Sequence, residues 1–157
     1  THVKKITMMY LIIARHGDYD IETGLLVAKG ENQSRYIAEK INEIVPQRGI
    51  VRILTSDQPR AVETAKIIAV HLGVSYDKHS ILFSDGEHPC KSSEIYNLIS
   101  DKSDVDVLVL VTHYDVTDEF PMAYSANEGW NRPLGYGGIN YGRAWLIDTE
   151  NQTKKLL

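Results

Sequence analysis

The sequence predicts a three-layer α/β/α fold with a mostly parallel central sheet. Three apolar runs, 8–14, 50–54 and 105–111, are short, continuous and rich in strand formers, as strands buried on both faces of a sheet are. Segments with apolar residues at helical spacing separate them. Strands alternating with helices imply a doubly wound sheet covered on both sides.

Met8 to Ala14 is the first strand, and Arg15-His16-Gly17 falls at its carboxyl end. Lys29 to Val45 follows as a helix, since Ile37, Ala38, Ile41, Ile44 and Val45 share one face and Pro46 marks the stop. Ile50 to Leu54 is the second strand. The turn Ser56-Asp57-Gln58-Pro59 leads into a helix from Pro59 to Leu72, with proline suited to its first turn, Ser56 or Asp57 as cap and Gly73 as terminator. Val74 to Tyr76 is a short extended piece, and 79–87 is irregular apart from the apolar Ile81-Leu82-Phe83. Ser92 to Ile99 is a short helix, and Val105 to Val111 is the clearest central strand. Thr117 to about Ala126 is a further helix, capped by Thr117 and with Pro121 tolerable only near its start. Residues 127–138 form a loop rich in Gly, Pro and aromatics, and Ile139 to Ile147 is a final edge strand. No repeat or linker divides the chain, so residues 1–157 are expected to form one domain.

The length of 157 residues is enough for a substantial core. A net charge of −4 argues against a general nucleic-acid binder, which needs a basic patch or stripe. It leaves room for an anionic small ligand, because a few cations in one cleft reverse the local field. Cys90 is the only cysteine, so no internal disulfide forms and a reducing, cytoplasmic setting is expected. No apolar run reaches the length of a membrane span, and no membrane partner is expected. Thr1-His2-Val3-Lys4-Lys5 lacks the core of a signal peptide and reads as a processed end or an added remnant.

The chemistry concentrates at strand ends. The first strand ends in Arg15-His16, the second in Thr55-Ser56 with Arg60 just beyond, and the third in Thr112-His113. In a parallel sheet these ends share one edge, where open α/β sheets bind ligands. Two arginines and two histidines brought together call for an anion between them. A phosphate, with several acceptor oxygens, matches guanidinium forks well. The helix from Pro59 adds free backbone donors to the same place. Arg60 also has a plainer reading, a surface ion pair with Glu63. Asp85, Glu87, His88 and Cys90 lack recognised metal-ligand spacing, so no metal is expected there.

These motifs resemble a known family. Leu11-Ile12-Ile13-Ala14-Arg15-His16-Gly17, then Thr55 to Ala65, then Val111-Thr112-His113 are similar to the histidine phosphatase superfamily, also called phosphoglycerate mutase-like. Leu26 to Gln33 is similar to the family's segment entering the first helix, with Gly30 and Gln33 as structural residues. The resemblance spans about the first 115 residues, with the motifs in order. The short chain and Arg15-His16-Gly17-Asp18 are also similar to the small phosphohistidine phosphatases of that family.

The resemblance implies a phosphoglycerate mutase-like fold and a phosphatase without a cofactor. His16 would attack phosphorus and form a phosphohistidine, and Arg15, Arg60 and His113 would hold the phosphoryl oxygens, with the Tyr114 backbone amide as a further donor. His16 must present a neutral nitrogen, so its other nitrogen is expected to donate to a backbone carbonyl. The general acid is open between Asp85 and Glu87, with a slight preference for Glu87. Neither lies in the family's usual surroundings. An alkoxide needs that proton to leave, whereas an imidazole, with a pKa of about 6.5, leaves more easily. A second departure is Tyr114-Asp115 after His113, since Asp115 would repel substrate unless it points away.

The expected substrate is a phosphomonoester or a protein phosphohistidine. The rival from another class is a phosphate-binding or interaction protein on the same fold with little turnover. A phosphomutase is a further alternative, disfavoured by the short chain. Oligomeric state is not legible.

Overall fold

Val107–Thr112 is buried along its whole length and forms the middle of a six-stranded sheet. The computed structural model describes residues 8–157, so the N-terminal pentapeptide discussed above lies outside the described residues. In chain order the strands are β1 (Tyr10–Arg15), β2 (Val51–Thr55), β3 (Tyr76–Lys78), β4 (Val107–Thr112), β5 (Ala144–Asp148) and β6 (Thr153–Leu156). The helices are α1 (Ala28–Ile44), α2 (Pro59–Leu72), α3 (Ser92–Lys102) and α4 (Tyr114–Asn127), with a 3₁₀ turn at Ser80–Leu82. The sheet order is β3-β2-β4-β1-β5-β6. The first four strands in that order run parallel, and β5 and β6 add an antiparallel pair at the β1 side.

Alternation along the strands divides the core into two layers. Leu11, Ile13, Leu54, Leu108 and Leu110 face one side, against Ile95 and Ile99 of α3 and Val116, Phe120 and Tyr124 of α4. Ile12, Ala14, Ile53, Val107, Val109 and Val111 face the other, against Ile37, Ala38 and Ile41 of α1 and Ala61, Ala65 and Ile68 of α2. Covering both faces is what makes these strands continuously apolar. Register then aligns their ends. Arg15 lies opposite Thr112, and Thr55 opposite Val111.

Five local expectations are corrected. The cap of α2 is Gln58, not Ser56 or Asp57. Ser56 is instead committed to a histidine, Oγ lying 2.8 Å from His113 Nε2. The last helix starts at Tyr114 with His113 as cap, three residues before the expected Thr117. Pro121 therefore lies in its interior, where it deprives the Thr117 carbonyl of the usual i+4 donor. Trp145 Nε1 donates to that carbonyl at 3.0 Å, so the interruption is compensated from the sheet.

The expected edge strand 139–147 is shorter, begins at Ala144 and is interior to the sheet. The edge is β6, Thr-Lys-Lys-Leu, whose charged residues carry no apolar alternation and suit an exposed edge. The extended piece at 74–76 is shifted to β3, Tyr76–Lys78. The helix from Ser92 runs to Lys102 rather than Ile99. Gly73 ends α2 in the left-handed region as expected, with φ of 68°.

Candidate active site

His16 follows the last residue of β1, and its backbone continues the sheet by donating to the Thr112 carbonyl at 3.1 Å. The side chain is 3% exposed. Its Nε2 accepts from Arg60 Nε at 3.2 Å. A guanidinium can only donate, so the Nε2 lone pair is free of a proton. The proton therefore sits on Nδ1, which lies 3.0 Å from the Gly17 carbonyl and donates to it. Burial lowers the His16 pKa to about 4, opposed by the Gly17 carbonyl and helped by the charges of Arg60 and Arg15. The imidazole is neutral at neutral pH, with Nε2 facing the cations.

His113 caps α4 and stands beside it, with ring centroids 5.1 Å apart. Arg60 Nη2 approaches His113 Nδ1 at 3.4 Å, and His113 Nε2 pairs with Ser56 Oγ at 2.8 Å. Burial, then the neighbouring His16, Arg60 and Arg15, lowers the His113 pKa to about 3 against the opposing charge of Asp85. The α4 start at Tyr114 leaves the first-turn amides of that helix at the same edge.

Arg60 occupies the first turn of α2, and its guanidinium lies 4.8 Å from the Tyr19 ring centroid. Arg15 donates from Nη1 to the Ile139 carbonyl at 3.1 Å. Its guanidinium sits 3.8 Å over the Tyr141 ring and 5.2 Å from that of Tyr114. Arg15 Nε is buried without a partner. Among the described residues neither arginine makes a salt bridge. The alternative Arg60–Glu63 ion pair is not formed among the described residues, and Glu63 Oε1 accepts the Leu26 amide at 2.9 Å.

The loop after His16 is clamped from α1 and α2. A Cβ on Gly17 would lie 2.6 Å from the Gly30 carbonyl oxygen, and one on Gly30 would overlap the Asp18 carbonyl, so two glycines allow backbone to pack on backbone. Gln33 accepts the Asp18 amide at 2.9 Å and donates to the Asp18 carboxylate at 2.7 Å, the structural task expected of it.

Sequence reasoning missed Tyr19 and Tyr141. Their rings lie 5.3 and 5.5 Å from that of His16. Tyr19 is held by its bridge to Leu26, and Tyr141 by the fold of 135–143 back over β1. No spacing in the sequence signals either approach. Burial foremost, with the Glu119 and Asp115 carboxylates adding to it against the Ser92 hydrogen bond, raises the Cys90 thiol pKa.

The acid candidates lie in the loop after the 3₁₀ turn. Phe83 joins this loop to the site, its ring 5.2 Å from His113. Asp85 Oδ1 accepts from the Glu87 and His88 amides at 2.8 and 2.7 Å and pairs with His88 Nδ1 at 2.8 Å. These bonds, His88 foremost, lower the Asp85 pKa. Glu87 is exposed, and no described contact joins its side chain to the four-residue cluster.

A family model, the histidine phosphatase superfamily (branch 1), matches residues 11–82. Over that segment the chain is similar to the histidine phosphatase superfamily. That match covers the segment from the first strand through Arg60 to the 3₁₀ turn, and the remaining strands complete the histidine phosphatase fold. Among solved structures, the mycobacterial glucosyl-3-phosphoglycerate phosphatase in complex with VO3 is similar at a TM-score of 0.65 and 16% identity, over 95% of this chain and 97% of that one. The protein histidine phosphatase SixA in complex with tungstate is similar at 0.60 and 18% identity, over 95% and 94%. The phosphoglycerate mutase from Plasmodium falciparum is similar at 0.55 and 18% identity, over 96% and 89%. A comparison with curated proteins finds no match.

No described helix is long and apolar enough to cross a membrane. Among the described residues no group of three His, Cys, Asp or Glu side chains is arranged to hold a metal ion.

Proposed function

We propose that this chain is a histidine phosphatase that works through phosphohistidine at His16. The observation that carries the reading is the tautomer of His16, with Nδ1–H on the Gly17 carbonyl and the Nε2 lone pair directed to Arg60. Nε2 attacks phosphorus while the bond from phosphorus to the leaving atom breaks. Arg15, Arg60, His113 and the Tyr114 amide take the three phosphoryl oxygens, replacing the Arg60 contacts to the two histidines. Fixed guanidinium charge supplies the field, so no metal is required for it. Water then cleaves the phosphohistidine, releasing phosphate and restoring Nε2.

Glu87 is the proton donor of this proposal. Its rival Asp85 is held as the anion by three hydrogen bonds, which suits it to shaping the loop rather than giving up a proton. The proton leaves Glu87 with the departing oxygen and returns from the water of the second step. The substrate is a phosphomonoester or a protein phosphohistidine, a range that includes the substrates in the names of the two phosphatase neighbours.

A binding protein with little turnover is the second reading, favoured by the absence of any described contact from Glu87 to the cluster. Hydrolysis of p-nitrophenyl phosphate, whose leaving group needs no proton, separates the two. Activity that disappears in His16→Ala while circular dichroism stays unchanged supports the enzyme. Equal rates in wild type and His16→Ala defeat it.

A further inference from the structure

We propose that Tyr141 is a positioning residue for the oxyanion, holding Arg15 in place through the face of its ring, and that Tyr19 does the same for Arg60. The inference rests on the reading of the two arginines as phosphoryl ligands and goes beyond it by assigning what aims them. An arginine in a site of this kind needs an anchor, because a free guanidinium loses rotamer entropy each time it binds. A carboxylate is the common anchor, but it cancels the charge that the phosphate requires. An aromatic face attracts the cation while leaving its positive charge and its N–H edge available.

The geometry follows that division of labour. The Arg15 guanidinium lies 3.8 Å over Tyr141, with Nη1 on the Ile139 carbonyl and Nε unused. Arg60 lies 4.8 Å over Tyr19. The two rings meet edge to face, with centroids 6.0 Å apart, and both stand beside His16. The Tyr141 segment is itself fixed to the nucleophile, since the Gly142 amide donates to the His16 carbonyl at 2.9 Å. Gly142 has φ of +65°, and a Cβ there would overlap the Gln33 side chain, so the segment fits at this point only with glycine. A Cβ on Gly138 would likewise overlap the Tyr114 ring, the second aromatic face near Arg15.

The test is calorimetric titration with orthovanadate, which reads oxyanion binding without turnover. Tyr141→Leu is expected to weaken binding about tenfold, the scale of a partly desolvated cation–π contact. Tyr141→Phe, which keeps the ring, is expected to restore affinity to within about twofold of wild type. In an Arg15→Gln background the Tyr141→Leu effect is expected to shrink below about twofold, because the partner is gone. A Tyr141→Leu loss of equal size with and without Arg15 would overturn the proposal, as would a Tyr141→Phe defect matching that of Tyr141→Leu. Should Tyr141→Leu fail to fold, Tyr19→Leu in the presence and absence of Arg60→Gln is the equivalent cycle, with the same expected and opposing outcomes. If wild type binds vanadate but does not hydrolyse p-nitrophenyl phosphate, the phosphatase reading fails while the role of the tyrosines stands or falls on its own titration.

Discussion

Thr64 and Gly17 are joined by a hydrogen bond that ties the loop after His16 to the helix carrying Arg60. Thr64 Oγ1 accepts the Gly17 amide at 3.1 Å while its hydroxyl donates to the Arg60 carbonyl at 2.8 Å, and Thr64 is fully buried. One hydroxyl thus sets the distance between the carbonyl that fixes the His16 tautomer and the turn that presents Arg60. Thr64→Val keeps the shape but leaves the Gly17 N–H unpaired in the interior. It is expected to destabilise the fold by about 1–3 kcal/mol. Urea unfolding reads this directly, with Thr64→Ser recovering most of the loss.

The lowered histidine pKa values of about 4 and 3 have two consequences in pH. His16 stays unprotonated through the neutral range, so with His16 as the proposed nucleophile the acid limb of kcat/KM is expected near pH 4 rather than near 6.5. Stability moves as well. Above pH 6.5 folded and unfolded histidines are both neutral and add no pH dependence. As the pH falls below that, the unfolded chain takes up protons that the folded site refuses, so the stability present at neutral pH is lost down to about pH 4 for His16 and about pH 3 for His113. The loss is on the order of 2 kcal/mol per histidine at pH 5. Urea titrations at pH 7 and 5 are expected to show it, and His113→Asn to reduce it by about half. A wild-type stability flat between pH 7 and 5 contradicts the buried, neutral pair.

Alanine normally improves a helix over glycine by about 1 kcal/mol. At Gly30, in the first turn of α1, the opposite is expected. The added Cβ would overlap the Asp18 carbonyl, which is backbone and cannot rotate away. Gly30→Ala is expected to lower stability by about 1–3 kcal/mol and to slow turnover, because relief must come from the loop behind His16. A thermal melt equal to or above that of wild type contradicts this packing.

The proposed acid is tested through the leaving group. Glu87→Gln is expected to slow hydrolysis of an alkyl phosphate by about 100-fold or more, the usual worth of general acid catalysis. A phosphohistidine substrate is expected to lose far less, because imidazole departs without much help. Equal slowing on both substrates counts against Glu87 as the donor.

Strand and helix patterning was legible in the residues between Met8 and Val111 because both sheet faces are covered, which makes each strand a continuous apolar run. The stretch after His113 was harder. The expectation that α4 starts at Thr117 followed from the cost of an interior proline. Trp145 Nε1, 28 residues away, removes much of that cost by donating to the Thr117 carbonyl. The strand β6 was missed for a related reason, since its residues are mostly exposed and its pairing with β5 is a tertiary fact.

The candidate site divides in the same way. Arg15, His16, Arg60 and His113 were found as residues at strand and helix ends, where topology alone brings them to one edge. The expected acceptor for Nδ1 of His16 was anticipated in kind and is the adjacent Gly17 carbonyl.

By itself the sequence determined the fold class, the family resemblance and the four charged or imidazole groups gathered at one sheet edge, because these depend on local periodicity and on position relative to strand ends. Only the tertiary structure decided which histidine nitrogen is free, that Ser56 serves His113, and that Tyr19 and Tyr141 back the two arginines. Those relations join residues 41 to 126 positions apart, although Tyr19 lies only three residues after His16. Even there, the turn of the loop rather than the spacing lays the ring on Arg60.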